Sequence, residues 1–201
     1  MSRLLSAAAV LLLAGSACLL SGEEPPAPPE PARPKKPKVE LKEVPKVVTD
    51  NKSALILKHR DKLTFRASSF WPGWHMEKLV DGDLETSWFS AQDDTTTKGK
   101  TPWVEILFPE DVTIRRVTVL GNREPAWLNG YTILAGKLEL LDKEGLKLYS
   151  EENDGLGNFR DFDFQLKKPI EKVRSIKFIS LGDQGDQNPF TDIAIAEIQA
   201  E

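Results

Sequence analysis

Oxygen-bearing side chains gather in one short stretch, Asp81-Gly82-Asp83-Leu84-Glu85-Thr86, whose composition suits a hard cation. Such an ion takes about six to eight oxygens, mixing a few carboxylates with carbonyls and hydroxyls. Gly82 permits a tight turn in which the Asp81 carboxylate, the Asp83 carbonyl and the Thr86 hydroxyl and carbonyl converge on one point. The same residues also read as an ordinary Asx turn with no ion, and from residue types alone both readings stand. A second set, spread along the chain, joins aromatic rings to forked polar groups: Trp71, Trp74, His75, Phe89, Arg123, Trp127, Asn129, Asn188 and Phe190. Rings of this kind pack on apolar C–H faces while Arg and Asn bond hydroxyls in pairs, which is the chemistry of sugar recognition. Each ring can equally be packing beneath a loop.

Groupings that do covalent chemistry are missing. The chain has two histidines, His59 and His75, and no Gly-x-Ser-x-Gly, His-Glu-x-x-His or phosphate-cradling glycine loop. A glycosidase pair is defined by carboxylate separation in space, which sequence does not show. The expectation is a binder and not an enzyme. The formal net charge of −4 excludes a nucleic-acid partner, which would need a basic face.

The elements that must position these residues are strands. From about Asn51 onward, β-branched and aromatic residues alternate in short runs between Gly, Pro and charged turns. Val104, Ile106 and Phe108 share one face of a strand opening at Trp103, with Glu105 and Leu107 on the other. Val117 and Val119 repeat the pattern, as do Phe162, Phe164 and Leu166, then Ile176 and Phe178. Leu138 and Leu140 precede the turn Asp142-Lys143-Glu144-Gly145, after which Leu146 and Leu148 resume, as in a hairpin. A last strand runs near Ile193 to Ala200. Lys58 to Leu63 reads as a short helix or a strand, Gln92 to Thr101 as an exposed loop, and Trp88 and Trp103 as core. About eight short strands with no long amphipathic helix make an all-β sandwich or jelly roll.

Ahead of this domain, residues 1–17 read as a signal peptide: the apolar run Leu4 to Leu13 follows Arg3 and is too short to span a bilayer. Cys18, the only cysteine, follows Ala14-Gly15-Ser16-Ala17, which resembles a bacterial lipoprotein cleavage box in which that thiol is lipidated. Gly15 departs from the larger aliphatic residue of that pattern, and ordinary cleavage near Ala17 is the competing reading. Residues 18–50 form a linker: eight of the fourteen prolines lie between Glu23 and Asp50, with Lys35, Lys36 and Lys38 and hardly an aromatic. This composition buries too little surface to fold, and is expected to make a disordered, semi-rigid polyproline spacer. Export to the cell envelope or the extracellular space follows.

Residues 51–201 resemble the coagulation factor 5/8 type C, or discoidin-like, domain. The resemblance is carried by Ala67-Ser68-Ser69 with Trp71 and Trp74, by Lys78-Leu79-Val80-Asp81-Gly82-Asp83 with Thr86 and Trp88, and by Thr101-Pro102-Trp103-Val104-Glu105-Ile106. It continues through Arg123 and Asn129-Gly130 to the ending Asp192-Ile193-Ala194-Ile195-Ala196-Glu197-Ile198. The ending is also similar to the glycan-binding module attached to bacterial NAD glycohydrolases. The chain is also similar to bacterial family 32 carbohydrate-binding modules, which lack the disulfide that closes the termini of vertebrate members.

The resemblance implies an eight-stranded jelly-roll β-sandwich of galactose-binding-like type, with its termini close together and its ligand loops at one end. It implies structural calcium held by Lys78, Asp81, Asp83, Thr86, Ala196 and Glu197. It implies carbohydrate as the ligand, for which the residue types offer Trp71, Trp74, His75, Phe89, Arg123, Trp127, Asn129 and Phe190, with Arg123 where similar members place a sugar-binding arginine. Phe89 stands where many of them have histidine, a departure that points away from galactose-type specificity. Membrane contact only through a lipid anchor, and a monomer, are expected. Two other partners stay open: an envelope protein in an adhesion role, and phospholipid met through Trp71 and Trp74.

Overall fold

The computed structural model describes residues 53–201, so the signal peptide, Cys18 and the proline-rich linker lie outside the described residues. The described part opens with a short helix, α1 (Ala54–His59), followed by a 3-10 turn, Arg60–Lys62. This resolves the Lys58 to Leu63 ambiguity in favour of helix. Seven strands follow: β1 (Thr64–Ala67), β2 (Trp88–Phe89), β3 (Trp103–Gly121), β4 (Ile133–Leu141), β5 (Lys147–Asp154), β6 (Phe162–Asp183) and β7 (Ala194–Ala200). Every pairing is antiparallel, in the order β2-β7-β3-β6-β4-β5, with β1 on β3.

Two strands make the sandwich. The first part of β3, Trp103 to Leu107, pairs with Ile179 to Ser175 of β6, whereas Val117 to Val119 pair with Phe164 to Phe162 and with β7. Between these stretches the β3–β6 register shifts repeatedly, from Leu107 to Arg116, so both strands turn a corner and contribute to both layers. Prolines mark the corners: Pro109 in β3 and Pro169 in β6 lack the N–H that an unbroken ladder would need. Arg174 secures one corner by donating to the carbonyls of Phe108 (3.2 Å) and Pro109 (3.1 Å). The runs around Val104 and Val117, expected as separate strands, are thus one bent strand, as are those around Phe164 and Ile176.

The core fills the space between the layers. Val104, Ile106, Phe108, Leu138, Leu140, Ile176 and Phe178 meet Val117, Val119, Phe162, Phe164, Ile195 and Ile198, and all are buried. Trp88 is wholly buried with them, as expected. Trp103 is not in the core: one residue out of phase with Val104, it faces outward, with the Lys177 ammonium 4.2 Å from its ring centre. The hairpin after Leu140 forms, but Tyr149 rather than Leu146 or Leu148 turns inward, and both leucines are exposed. The Gln92–Thr101 loop is only partly exposed. Asp94 and Thr95 are buried, because Asp94 accepts the hydroxyls of Ser68 (2.7 Å) and Ser69, and the Thr96 N–H donates to Asp183 at 2.9 Å.

The two ends of the domain meet at one hydroxyl. Ser53 Oγ caps α1 by accepting from the Ile56 N–H at 3.2 Å, accepts from the Ala200 N–H at 2.9 Å, and donates to the Ala200 carbonyl. A serine and a strand end therefore close the fold without a covalent staple.

Candidate functional site

The oxygen-rich turn is anchored by what precedes it. Leu79 and Val80 close a 3-10 turn, Met76–Val80, and are buried, which pins Asp81 at the surface of the core. Gly82 then takes φ +81°, a conformation costly for any residue with a Cβ. The Asp81 carboxylate accepts the Asp83 N–H at 2.8 Å with one oxygen and the Thr86 hydroxyl at 2.7 Å with the other. The same hydroxyl lies 3.1 Å from the Asp83 carbonyl. Asp81 carboxylate, Asp83 carbonyl and Thr86 hydroxyl are thereby drawn to one place.

Glu197 comes to this turn from β7. Its carboxylate accepts the Gly82 N–H at 3.2 Å, and the residue is wholly buried. The Asx hydrogen bonds of an ion-free turn are present, but a solvated Glu197 at a strand end is not what is found. Ala196 is buried beside Glu197, and Lys78 sits in the 3-10 turn with its N–H on the His75 carbonyl at 3.2 Å. Outside the turn, Arg60 donates to the Asp81 carbonyl at 3.0 Å. Among the described residues no three or more His, Cys, Asp or Glu side chains gather to hold a metal. A cation here would meet carboxylates, a hydroxyl and carbonyls, a donor set of oxygen alone, which fits a hard ion and not zinc.

The aromatic candidates do come together, but mostly as a second small core. Phe89, Trp127, Tyr131 and Ala194 are buried in one cluster, with Trp71, Trp74 and Phe190 half-buried against it. Ring centres lie 5.9 Å apart for Trp74 and Phe89, 5.3 Å for Phe89 and Tyr131, 6.1 Å for Trp127 and Phe190, and 5.4 Å for Trp71 and Phe190. Phe89 and Trp127 therefore offer no open face to a ligand. In the Trp71-Pro72-Gly73-Trp74 turn the two indoles are half-buried while Pro72 and Gly73 are exposed: the Trp74 N–H reaches the Trp71 carbonyl at 3.0 Å, and its indole N–H donates to the Glu124 carboxylate at 3.1 Å. Asn188 is buried and serves the backbone, donating to the Gly130 carbonyl at 2.6 Å and the Asp192 carbonyl at 2.8 Å.

Arg123, Asn129 and His75 remain at the surface. His75 is exposed 5.7 Å from the ring of Phe70, which is itself 44% exposed and is the one open aromatic that the sequence reading passed over. Asn129 is exposed beside Gly130, whose φ of +85° and close approach to the Gln187 carbonyl leave no room for a side chain. Arg123 is the most constrained of the three. It donates to the Gly121 carbonyl at 2.7 Å and to Asp161 at 2.6 Å, and its guanidinium lies 4.5 Å from the ring centre of Phe159. Gly121 permits this: a Cβ there would stand 1.8 Å from the Phe159 carbonyl oxygen, so only glycine lets the β5–β6 loop close over the end of β3. Asp161 and Phe159 escape a sequence reading because nothing local ties them to Arg123.

The sequence model of the F5/8 type C domain matches residues 64–195. No curated protein matches the chain. Among solved structures, the chain is similar to the family 32 carbohydrate-binding module of Clostridium perfringens NanJ in complex with galactose, at 14% identity and TM-score 0.56, covering 71% of this chain and 95% of that one. It is similar to a Streptococcus pneumoniae fucose-binding module at 12% identity and TM-score 0.52, covering 70% and 93%. It is similar to an F5/8 type C domain from Bacteroides fragilis at 15% identity and TM-score 0.52, covering 70% and 91%.

Proposed function

The chain belongs to the F5/8 type C domain family, and on that premise we propose that it is a non-catalytic carbohydrate-binding module whose ligand meets the loops around Arg123. The observation that carries this reading is the state of Arg123: a guanidinium fixed by two hydrogen bonds and an aromatic ring, on a side chain that keeps 14% of its surface exposed. An arginine ordered before its ligand arrives loses little side-chain entropy on binding. The relatives that hold galactose and fucose support the same class. Half-buried Trp71 and Trp74 give less support to phospholipid contact, since neither indole is free to enter a bilayer without leaving its cluster.

Calcium fits the Asp81 turn. Asp81, Asp83, Thr86 and Glu197 would hold it, with Lys78 and Ala196 offering carbonyls. When bound, the ion would supply the charge that offsets two carboxylates and would stiffen the turn; the residues themselves bind, order the loop and do no chemistry. Residues 1–18 support export with a lipid anchor at Cys18, placing the module on the cell envelope.

The test is retention of the full-length chain on insoluble polysaccharides and on a glycan array, for wild type and Arg123→Ala. Binding of at least one glycan, lost in the variant while circular dichroism shows it still folded, is the expected result. Capture of one envelope protein with no glycan retained would replace this reading with an adhesion role.

A further inference from the structure

Asp161 changes what Arg123 can recognise. Its two carboxylate oxygens are divided: one accepts the Gly121 N–H at 2.9 Å and the other accepts Arg123 at 2.6 Å. The side chains are 14% exposed for Arg123 and 31% for Asp161, so both reach the same patch of surface. The neighbouring charges are Glu124, which accepts the Trp74 indole, and Arg160, which donates to the Gly155 carbonyl at 3.2 Å. Cations and acids are therefore balanced here, and the acid nearest Arg123 is already bound to it.

Resting on the carbohydrate reading, we propose that Asp161 is a specificity-determining residue that makes Arg123 select neutral sugars over those bearing carboxylate, sulfate or phosphate. A sugar hydroxyl is both donor and acceptor, so it can accept from a remaining Arg123 N–H while donating to Asp161. An anionic substituent can only accept. Placed on Arg123 it would lie against the Asp161 carboxylate, and like charges at such range repel even near the surface. A bidentate fork free of a neighbouring acid is what a carboxylate or phosphate needs, and Asp161 occupies that position. Asp161 also holds the guanidinium near the Phe159 ring, 4.5 Å from its centre, so it acts on the ligand directly and through Arg123.

The experiment compares matched probes, galactan with polygalacturonate and mannan with polymannuronate, by affinity electrophoresis of the full-length chain. Wild type is expected to bind a neutral polymer at least about tenfold tighter than its acidic partner, and that affinity is expected to hold between about 50 and about 500 mM NaCl. Asp161→Asn is expected to narrow the neutral-to-acidic ratio by about tenfold, a change that mere loosening of the loop would not produce. If the variant does not fold, the wild-type salt series still decides. Wild type preferring the acidic polymers, with affinity falling as salt rises, would overturn the inference while leaving a carbohydrate-binding module. So would an Asp161→Asn ratio equal to that of wild type. Retention of no polysaccharide at all overturns both.

Discussion

Gly82 and Glu197 meet although 115 positions separate them: the glycine N–H donates to the buried carboxylate at 3.2 Å. The contact joins the turn after Val80 to the last strand, and it places an acid where a cation at the turn would be held from two sides. A buried carboxylate is costly, so a cation bound here would stabilise the folded state.

The first prediction follows. With a dissociation constant of about 0.1 to 1 mM, about 10 mM calcium should add about 1.4 to 2.7 kcal/mol of stability. Calorimetry should show a melting temperature several degrees higher in calcium than in chelator for wild type, and no such difference for Glu197→Gln or Asp81→Asn. Equal melting of wild type in both buffers would remove calcium from the proposal.

Ser53→Ala should lower stability by about 2 kcal/mol, combining the loss of a helix cap with that of two hydrogen bonds to Ala200. Urea unfolding measures it. A change below about 0.5 kcal/mol, the range of ordinary surface substitutions, would mean that the hydroxyl contributes little to holding the ends together.

Burial separates two aromatic candidates that look alike in sequence. Trp127 is 5% exposed within its cluster, and Trp127→Ala should cost about 3 to 5 kcal/mol. His75 is exposed, and His75→Ala should stay within about 0.5 kcal/mol of wild type. Denaturant midpoints of the two variants compare them directly, and similar losses would contradict the placement of Trp127.

Acid should remove a defined contribution on the outer face of β3 and β6. The hydrogen bonds from Arg116 at 2.7 and 3.0 Å, together with its charge, hold the Asp163 carboxyl below its ordinary range against the opposing effect of partial burial. A depressed folded-state pKa favours the ionised form, so the pair stabilises in full above the ordinary carboxylate value of about 3.9 and is lost as pH falls through the lower folded value. Both side chains are more than a third exposed, which limits the contribution to about 1 kcal/mol. The stability gap between wild type and Asp163→Asn should be constant from about pH 7 to 5 and shrink below about pH 4. A gap that widens in acid would reverse the assignment.

Strand alternation was legible because period two is a local property: Val104, Ile106 and Phe108 face inward as their spacing demands. The same parity should have placed Trp103 outside, but its size suggested core. The fusion of four expected strands into two was not legible, since Pro109 and Pro169 look like stops when they are corners. Asp81, Asp83 and Thr86 were readable as a unit because they are neighbours in sequence, and Glu197 was reached only through the family pattern. The aromatic cluster was misread in part because residue type cannot say whether a ring lies on a loop or under it; Phe89 and Trp127 lie under. Asp161 and Phe159 were missed because their partner, Arg123, sits on a different loop.

β7 has a consequence for how the module bears traction. It leaves the aromatic cluster at Ala194 and ends on Ser53 at Ala200, a run of roughly 20 Å. A load entering at Ser53 reaches the far tip of this strand through the hydrogen bonds to Ala200, and the share carried along β7 passes Glu197 before it reaches the loops near Tyr131. A cation seated at that midpoint would act as a rivet between the strand and the Gly82 turn.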